Sequence, residues 1–230
     1  MASSLPSKEV IIFLGGAFNP VHTNHVELFE LAKNHLEKNS DFKVIEGYLV
    51  PALDSYVRNK VKDVLAIKSE HRLAMCNLAI QKYDWIRPIN KCYASAFEFA
   101  RQLSKKKDFQ IAIITGGDRA LGKNMPIWRK PKKNDSITLM VGRSGATEEL
   151  KKLWLNDLNN SKIVNPSLYY FIDYEPRNIS STLIREQLAI LNYDLPLDEY
   201  ECMLNKLVDD DFITREVSTY ILENRNDLFF

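Results

Sequence analysis

The alternation of apolar runs with helical patterns constrains the fold of this chain most strongly. Residues 10–14 form a continuous apolar run, typical of a strand buried on both faces, and residues 28–36 then repeat apolar side chains at helical spacing. Further strands are predicted at 42–50, 85–89, 109–115, 137–141 and 168–173, and further helices at 69–80, 94–103, 147–158 and 183–191. This order predicts the α/β class, with a doubly wound parallel sheet, helices on both faces and a helical C-terminal part.

Length and composition favour one sizeable domain. The 230 residues are 45% hydrophobic, so we expect a single domain over 1–230, with a core at 1–179 and a helical part of the same domain at 180–230. No run reaches the 18 or so apolar residues of a membrane helix, and the first residues lack the apolar centre of a signal peptide. We therefore expect a cytoplasmic or nuclear protein without a membrane partner.

Charge and cysteine content narrow the possible partners. The net charge of +1 predicts no global attraction for nucleic acid, so anion binding must be local. The basic run at 129–133 is interpreted as a solvated loop rather than a nuclear signal or a nucleic-acid patch. The three cysteines have no paired spacing, which argues against a disulfide framework and a zinc ribbon. The sequence is compatible with a monomer and with a homo-oligomer.

Glycine pairs follow two of the predicted strands. Gly15-Gly16 ends the first, and Gly116-Gly117 ends the strand at 109–115. Backbone without Cβ atoms can approach a ligand closely and direct amides at phosphate oxygens. An ordinary tight turn is the alternative, and neither pair belongs to a G-x-G-x-x-G fingerprint or a P-loop.

Two histidines stand at the predicted start of the first helix. His22 and His25 are three residues apart, so a helical turn places them on one face, near the amides after the first strand. Donation to phosphate oxygens is favoured. Zinc ligation and ordinary packing are the alternatives, and zinc would need further ligands that no recognised spacing supplies.

A second anion-binding segment is predicted at the helix starting near residue 181. Ser180, Ser181 and Thr182 are preferred capping residues, and Arg185 follows within the first turn. An ordinary cap with a solvated arginine is the alternative. One helix terminus contributes about 0.3–2 kcal/mol toward an anion, whereas catalysis needs roughly 8 kcal/mol or more. We therefore predict that the segments around residues 20 and 182 meet to grip one triphosphate.

These segments carry a family resemblance. Residues 15–25, GGAFNPVHTNH, resemble the G-x-F-x-P-x-H-x-G-H signature of the nucleotidyltransferase superfamily. Residues 179–185, ISSTLIR, resemble its I-S-S-T-x-x-R motif in the form found in nicotinamide or nicotinate mononucleotide adenylyltransferases, here of eukaryotic-like type. The resemblance implies a Rossmann-like fold. It also implies transfer of the adenylyl group of ATP to a pyridine mononucleotide, giving NAD or its deamido form and pyrophosphate.

The resemblance also implies roles for individual residues. The catalytic residues would be His25, Arg185 and His22. The ATP and phosphate contacts would come from Gly15, Gly16, Ala17, Phe18, Gly116, Asp118, Ser180, Ser181 and Thr182. The mononucleotide contacts would come from Tyr56, Arg58, Lys60, Trp85 and Trp128. Magnesium would be held by ATP phosphates and water, with no protein ligand.

The acceptor stays open because the chain departs from the family's pattern. Lys91 and Cys92 stand near positions where relatives carry a tryptophan and an acidic residue. Nicotinamide and nicotinate mononucleotide are both compatible with the sequence, and pantetheine phosphate or flavin mononucleotide is a more distant alternative. A non-catalytic, nucleotide-binding or chaperone-like protein is the remaining hypothesis.

Overall fold

The structure is a computed structural model that describes residues 8–61, 65–142, 147–191 and 196–230. The strands are β1 (Lys8–Gly16), β2 (Phe42–Pro51), β3 (Gln110–Gly116), β4 (Ile137–Val141) and β5 (Tyr169–Ile172). The helices are α1 (Thr23–Asn39), α2 (Asp54–Val61), α3 (Ser69–Ala79), α4 (Ala96–Ser104), α5 (Gly117–Leu121), α6 (Thr147–Asn159), α7 (Ser181–Leu191), α8 (Leu197–Asp209) and α9 (Arg215–Glu223).

The strands form one sheet in the order β2-β1-β3-β4-β5. The pairs β1–β3, β3–β4 and β4–β5 are parallel, and Leu14 is in register with Ile114. With right-handed crossovers, this order places the connecting helices on both faces of the sheet. The prediction of a doubly wound, Rossmann-like α/β fold is confirmed.

Burial explains why the central strands read as continuous apolar runs. Residues 10–13 of β1 have no exposed surface, and all five residues of β4 are buried. A parallel strand covered on both faces needs apolar side chains at every position, because polar groups there would lose their hydration. The same runs therefore predict both the strand and its place inside the sheet.

The chain divides into two compact units. Unit 1 contains residues 1–14, 28–47 and 100–178, and unit 2 contains residues 15–27, 48–99 and 179–230. One boundary between the units falls between residues 178 and 179, so the C-terminal part belongs to unit 2. That part nevertheless shares its unit with the segment after β1 and with residues 48–99. In the described ranges, no helix has the length and hydrophobicity that crossing a membrane requires.

The predicted strand at 85–89 is wrong. Ile86 takes part in an isolated bridge, but the segment belongs to none of the sheet strands in the described part of the chain. It is held to α3 by a side chain instead: Asn77 donates to the Ile89 carbonyl at 3.0 Å and accepts from the Ile89 amide at 3.2 Å. The amide side chain thus satisfies backbone groups that a neighbouring strand would otherwise pair.

Candidate active site

The loop that follows β1 is fixed through its backbone carbonyls. They accept four hydrogen bonds from three segments of unit 2: Gly16 from the Ala52 amide (2.9 Å), Ala17 from Arg72 of α3 (2.9 Å), and Asn19 and Pro20 from Arg185 (2.9 Å) and Ser181 Oγ (2.8 Å) of α7. The Asn19–Pro20 peptide is cis. Side chains from two helices, α3 and α7, and one backbone amide therefore hold a short loop in a single conformation.

The anchored carbonyls determine where the loop amides point. In a trans peptide the carbonyl of one residue and the N–H of the next lie on opposite sides of the bond. The N–H groups of Ala17, Phe18 and Val21 are therefore directed away from the donors that hold the preceding carbonyls. Phe18 has φ +44°, in the left-handed region that few aromatic residues adopt. Such strain persists where surrounding contacts enforce it, and it is common at ligand sites.

The two predicted histidines lie together at the start of α1. The rings of His22 and His25 are stacked with centroids 3.6 Å apart, and Phe18 contacts His25 edge-on at 4.9 Å. The His22 amide donates to Nδ1 of His25 at 3.2 Å. Since Nδ1 accepts, the hydrogen-bond geometry assigns the proton of a neutral His25 to Nε2. Nε2–H is then a donor available to an anion.

The electrostatic surroundings keep His25 neutral. Burial lowers the pKa of His25 well below its ordinary value of 6.5, and the neighbouring His22 and Lys60 lower it further. The residue as a whole is half-buried. At neutral pH this imidazole is therefore a hydrogen-bond donor of fixed orientation and not a cation.

The second predicted segment caps α7. Ser180 Oγ accepts from the Leu183 amide at 3.2 Å, so Ser180 is the N-cap that its residue type predicts. The guanidinium of Arg185 is 6% exposed and also donates to the Ser181 carbonyl at 3.2 Å and to Thr182 Oγ1 at 3.3 Å. Its Nε is buried without a hydrogen-bond partner among the described residues. Burial lowers the pKa of Arg185, although an arginine stays charged at neutral pH.

The two segments predicted to meet are in direct contact within unit 2. Arg185 and Asn19 are 166 positions apart in sequence, and Ser181 and Pro20 are 161 apart. The start of α7 therefore supports the loop that precedes α1. Imidazole, guanidinium, hydroxyl and backbone N–H groups are concentrated at this place, and these are groups that bind phosphate.

The residues predicted to bind a mononucleotide on α2 also belong to unit 2. Tyr56, Arg58 and Lys60 are exposed, and the Arg58 guanidinium lies 4.8 Å from the centre of the Phe230 ring. Lys60 is close enough to lower the pKa of His25. Trp85 is half-buried in the segment after α3. Lys60 thus has an electrostatic link to His25.

Three residues around the loop were not identified from the sequence. Arg72 donates to the loop, Asp54 accepts from Arg72, and the Asn19 side chain joins the loop to residues 65–67. The polar run Glu70-His71-Arg72 is typical of a helix start exposed to solvent. In the structure, however, Arg72 is completely buried. The Asn-Pro pair was the available signal for Asn19, because such pairs mark turns with side-chain hydrogen bonds.

Unit 1 contains the second glycine pair. Gly116 is extended at the end of β3, and α5 begins at Gly117, with Asp118 in its first turn. A Cβ added at Gly116 would meet no atom within 4 Å, whereas one at Gly117 would meet Leu150 at 3.0 Å. A side chain at Gly117 would therefore need Leu150 to move by a few tenths of an ångström, while Gly116 borders open space.

Trp128 has a packing role in unit 1. Its side chain has no exposed surface, contacts Trp154 edge-on with centroids 5.4 Å apart, and donates from Nε1 to Asp157 at 2.8 Å. Arg129 also donates to Asp157, and this bond, followed by that from Trp128, holds the pKa of the carboxyl below its ordinary value. The ring presents no open face in this conformation. Its contact with a pyridine ring stays a prediction.

One group of side chains with metal-compatible spacing lies away from the histidines in the described part of the chain. Within the part that the structure describes, one group of histidine and carboxylate side chains has metal-ligating distances, namely Glu70, His71 and Asp227. It does not include His22 or His25, and Asp227 is already paired with Lys68. The stacked arrangement of His22 and His25, with Nδ1 of His25 engaged by an amide, favours anion binding over the zinc alternative.

Comparison with curated proteins identifies related sequences. A nicotinamide/nicotinic acid mononucleotide adenylyltransferase 2 of Xenopus tropicalis is 38% identical over 105 residues, covering 42% of this chain and 33% of that protein. A nicotinamide/nicotinic acid mononucleotide adenylyltransferase of Arabidopsis thaliana is 36% identical over 95 residues, covering 41% and 37%. The chain spans about a third of the length of the curated relatives it matches.

Solved structures and a family profile extend the comparison to most of the chain. The fold is similar to Plasmodium falciparum nicotinic acid mononucleotide adenylyltransferase complexed with NaAD, with a TM-score of 0.55, 15% identity, and coverage of 96% of this chain and 98% of that one. The same protein complexed with APC gives a TM-score of 0.53 at 15% identity, covering 94% and 95%. At this identity the likeness concerns the fold. Residues 13–187 match the family described as Cytidylyltransferase-like, and the chain therefore belongs to that family.

Proposed function

We propose that the protein is an adenylyltransferase that joins ATP to nicotinamide or nicotinate mononucleotide. The products are NAD or its deamido form and pyrophosphate. The observation that carries the proposal is the contact between the loop after β1 and the start of α7, since Arg185 holds the Asn19 carbonyl at 2.9 Å. The curated relatives named for this activity support the choice of acceptor.

The proposed reaction requires little covalent work from the protein. The acceptor's phosphate oxygen is already an anionic nucleophile, so no general base is needed. It attacks the α-phosphorus of ATP in line, the bond from that phosphorus to the bridging oxygen breaks, and pyrophosphate leaves with the electron pair. The protein must align the reactants and stabilise the charge that develops on the phosphoryl oxygens.

Residues of unit 2 supply these two functions in the proposal. The amides of Ala17 and Phe18 are held in a fixed direction by the anchored carbonyls that precede them, and they act as preorganised donors. Nε2–H of His25 donates to a phosphate oxygen without carrying charge, and His22 assists beside it. Arg185 contributes positive charge and, through Asn19, the position of the loop.

Magnesium fits this site as an ion bound to substrate. The groups around the loop are imidazole, guanidinium, hydroxyl and amide groups, whereas Mg²⁺ prefers carboxylate oxygens and water. We infer that ATP phosphates and water would hold the ion, which would offset the charge of the triphosphate. Gly116, Asp118 and Trp128, which belong to unit 1, keep their proposed nucleotide contacts as predictions. We place the protein in the cytoplasm or nucleus.

An acceptor panel tests the proposal. The purified chain is incubated with ATP, magnesium and, in separate reactions, nicotinamide mononucleotide, nicotinate mononucleotide, pantetheine phosphate and flavin mononucleotide. Pyrophosphate release and the mass of the dinucleotide are measured, with His25→Ala as the control of strongly reduced activity. We expect product with a pyridine mononucleotide. Binding of ATP without product from any acceptor would favour the non-catalytic hypothesis, and product from another acceptor alone would reassign the substrate.

A further inference from the structure

Arg72 connects the loop after β1 to the helix that carries the proposed acceptor-binding residues. It lies near the start of α3 and its side chain is completely buried. Nε donates to the Ile67 carbonyl at 2.9 Å, Nη1 to the Ala17 carbonyl at 2.9 Å and Nη2 to Oδ1 of Asp54 at 2.8 Å. All of these residues belong to unit 2.

Stability alone does not account for a buried guanidinium at this place. Removing a cation from water is unfavourable, and well-packed apolar residues often replace buried ion pairs without loss of stability. Arginine differs from such residues in that its rigid fork fixes several partners at defined angles. The identity of the partners of Arg72 therefore indicates what the residue does.

Each partner of Arg72 leads to a different part of the proposed site. The Ala17 carbonyl fixes the peptide plane that carries the Phe18 amide. Asp54 is the first residue of α2, which carries Tyr56, Arg58 and Lys60. The third partner, Ile67, is tied to the loop a second time, because its amide donates to Oδ1 of Asn19 at 2.7 Å.

We propose that Arg72 is a positioning residue. It holds the loop amides and helix α2 in the relative position that adenylyl transfer requires. It contacts no reacting group in this scheme and acts through Ala17 and Asp54. This role rests on the proposed function, since the relative position of the loop and α2 matters only if the loop binds the ATP phosphates and α2 binds the acceptor. The contacts with Ala17 and Asp54 have separate effects. The contact with Ala17 acts on turnover, and the contact with Asp54 acts on acceptor binding.

Two variants and a matched control test the two contacts. Asp54→Asn removes the charge that holds α2 and leaves the contact between Arg72 and Ala17. Arg72→Lys keeps the charge and loses the fork that reaches three partners. Asp227→Asn is the control, because Asp227 also pairs with residues beside Arg72, Lys68 and His71, but lies 65% exposed and outside the proposed site.

The kinetic constants separate positioning from a structural role. We expect Asp54→Asn to raise KM for the mononucleotide about tenfold, with KM for ATP and the thermal midpoint close to wild type. We expect Arg72→Lys to lower kcat about 100-fold in the folded protein, because small misplacements of reacting groups are costly. Asp227→Asn should leave kcat and both KM values unchanged. A lowered thermal midpoint with wild-type kinetic constants in both variants would overturn the proposal.

Hydrogen exchange gives a second readout that does not need activity. In Arg72→Lys, peptides covering residues 15–21 and 54–61 should exchange faster, while residues 215–223 should keep wild-type protection. Unchanged exchange in the first two segments would overturn the positioning role. If Arg72→Lys fails to fold, Asp54→Asn tests the positioning role. Wild-type exchange of residues 54–61 together with a wild-type KM for the mononucleotide would then overturn it. If the wild-type protein releases no pyrophosphate, the proposed function is contradicted. The exchange experiment does not depend on activity, so it tests the contacts of Arg72 separately.

Discussion

Nη1 of Arg185 donates to the backbone carbonyl of Asn19 at 2.9 Å, across 166 positions of sequence. The arginine therefore has a structural effect on the loop in addition to its charge. We expect Arg185→Ala to lower kcat about 100-fold, the usual effect of removing one transition-state donor. It should also lower the free energy of unfolding by about 1–3 kcal/mol, because the carbonyl loses its partner. Steady-state kinetics and urea unfolding measure the two effects.

The control for Arg185 is a surface arginine of the same unit. Arg215 is exposed and donates to Asn205 without contacting the loop. Arg215→Ala should leave kcat unchanged and alter stability by no more than about 0.5 kcal/mol. Normal turnover in Arg185→Ala would remove Arg185 from the proposed catalytic residues.

The neutral state of His25 predicts a flat pH profile. Because its pKa lies well below 6.5, deprotonation of His25 is complete before neutral pH. We therefore expect kcat to show no loss between pH 6.5 and 8 that depends on His25. His25→Ala should lower kcat about 100-fold, and His25→Gln should restore part of it, since the glutamine amide can supply a donor near the position of Nε2. A fall in kcat through pH 6.5 that His25→Gln abolishes would show that the cation is the active form.

The same lowered pKa makes stability depend on pH. The folded state takes up a proton on His25 only at acid pH, whereas the unfolded chain does so near 6.5. The unfolded state thus binds more protons below pH 6.5, so the contribution of His25 is complete above that pH and is lost as pH falls. Burial also lowers the pKa of His35, which adds to the effect. The comparison of wild type with His25→Gln in urea unfolding at pH 5 and pH 7 isolates His25, and equal losses in both proteins would contradict its lowered pKa.

Two glycines at strand ends should tolerate alanine differently. A Cβ at Gly15 would lie 2.9 Å from Cβ of Ala96 and 3.2 Å from its amide nitrogen, while one at Gly116 would meet open space. Gly15→Ala should therefore cost about 1–3 kcal/mol of stability through overpacking. Gly116→Ala should be neutral within about 0.5 kcal/mol and raise KM for ATP if the nucleotide approaches this backbone. Thermal unfolding and KM for ATP test both, and an unchanged KM would remove Gly116 from the proposed contacts.

Substitutions of Trp128 can distinguish a role in core packing from a role in stacking on a ligand. Its buried ring and its hydrogen bond to Asp157 predict a loss of about 3–5 kcal/mol in Trp128→Ala and a smaller loss in Trp128→Phe. Stacking on a pyridine ring predicts, in addition, a raised KM for the mononucleotide in folded Trp128→Phe. Urea unfolding and acceptor kinetics distinguish the two. A stability loss with unchanged KM would leave Trp128 with its packing role alone.

The sequence predicts those features of the fold that follow from local pattern. Continuous apolar runs identified β1, β3 and β4, because a strand buried on both faces has no polar position. The segment at 85–89 is interrupted by Arg87 and Pro88 and belongs to none of the sheet strands in the described ranges, and Asn77 satisfies the backbone of Ile89 instead. Helix α2 was missed because Val57 is its buried residue and eight residues carry little periodic signal.

Long-range partners explain which site residues were found and which were not. His22, His25, Ser180 and Arg185 stand in recognisable local patterns, so the sequence singles them out as candidates, and their roles stay predictions. Arg72 was missed because its burial depends on residues distant in sequence. The basic run at 129–133 shows the same limitation: it was interpreted as solvated, yet Lys132 donates to Thr138 and burial lowers its pKa to about 8.

The interleaving of the two units bears on how the protein is made during translation. Residues 1–178 contain all five strands, so a nascent chain of that length can pair its sheet. Ser181 and Arg185, which hold the carbonyls of Pro20 and Asn19, have not yet been synthesised at that stage. The loop after β1 is therefore synthesised long before the helix that holds it, and a chain that stops before Ser181 would lack the side chains that hold the Asn19 and Pro20 carbonyls.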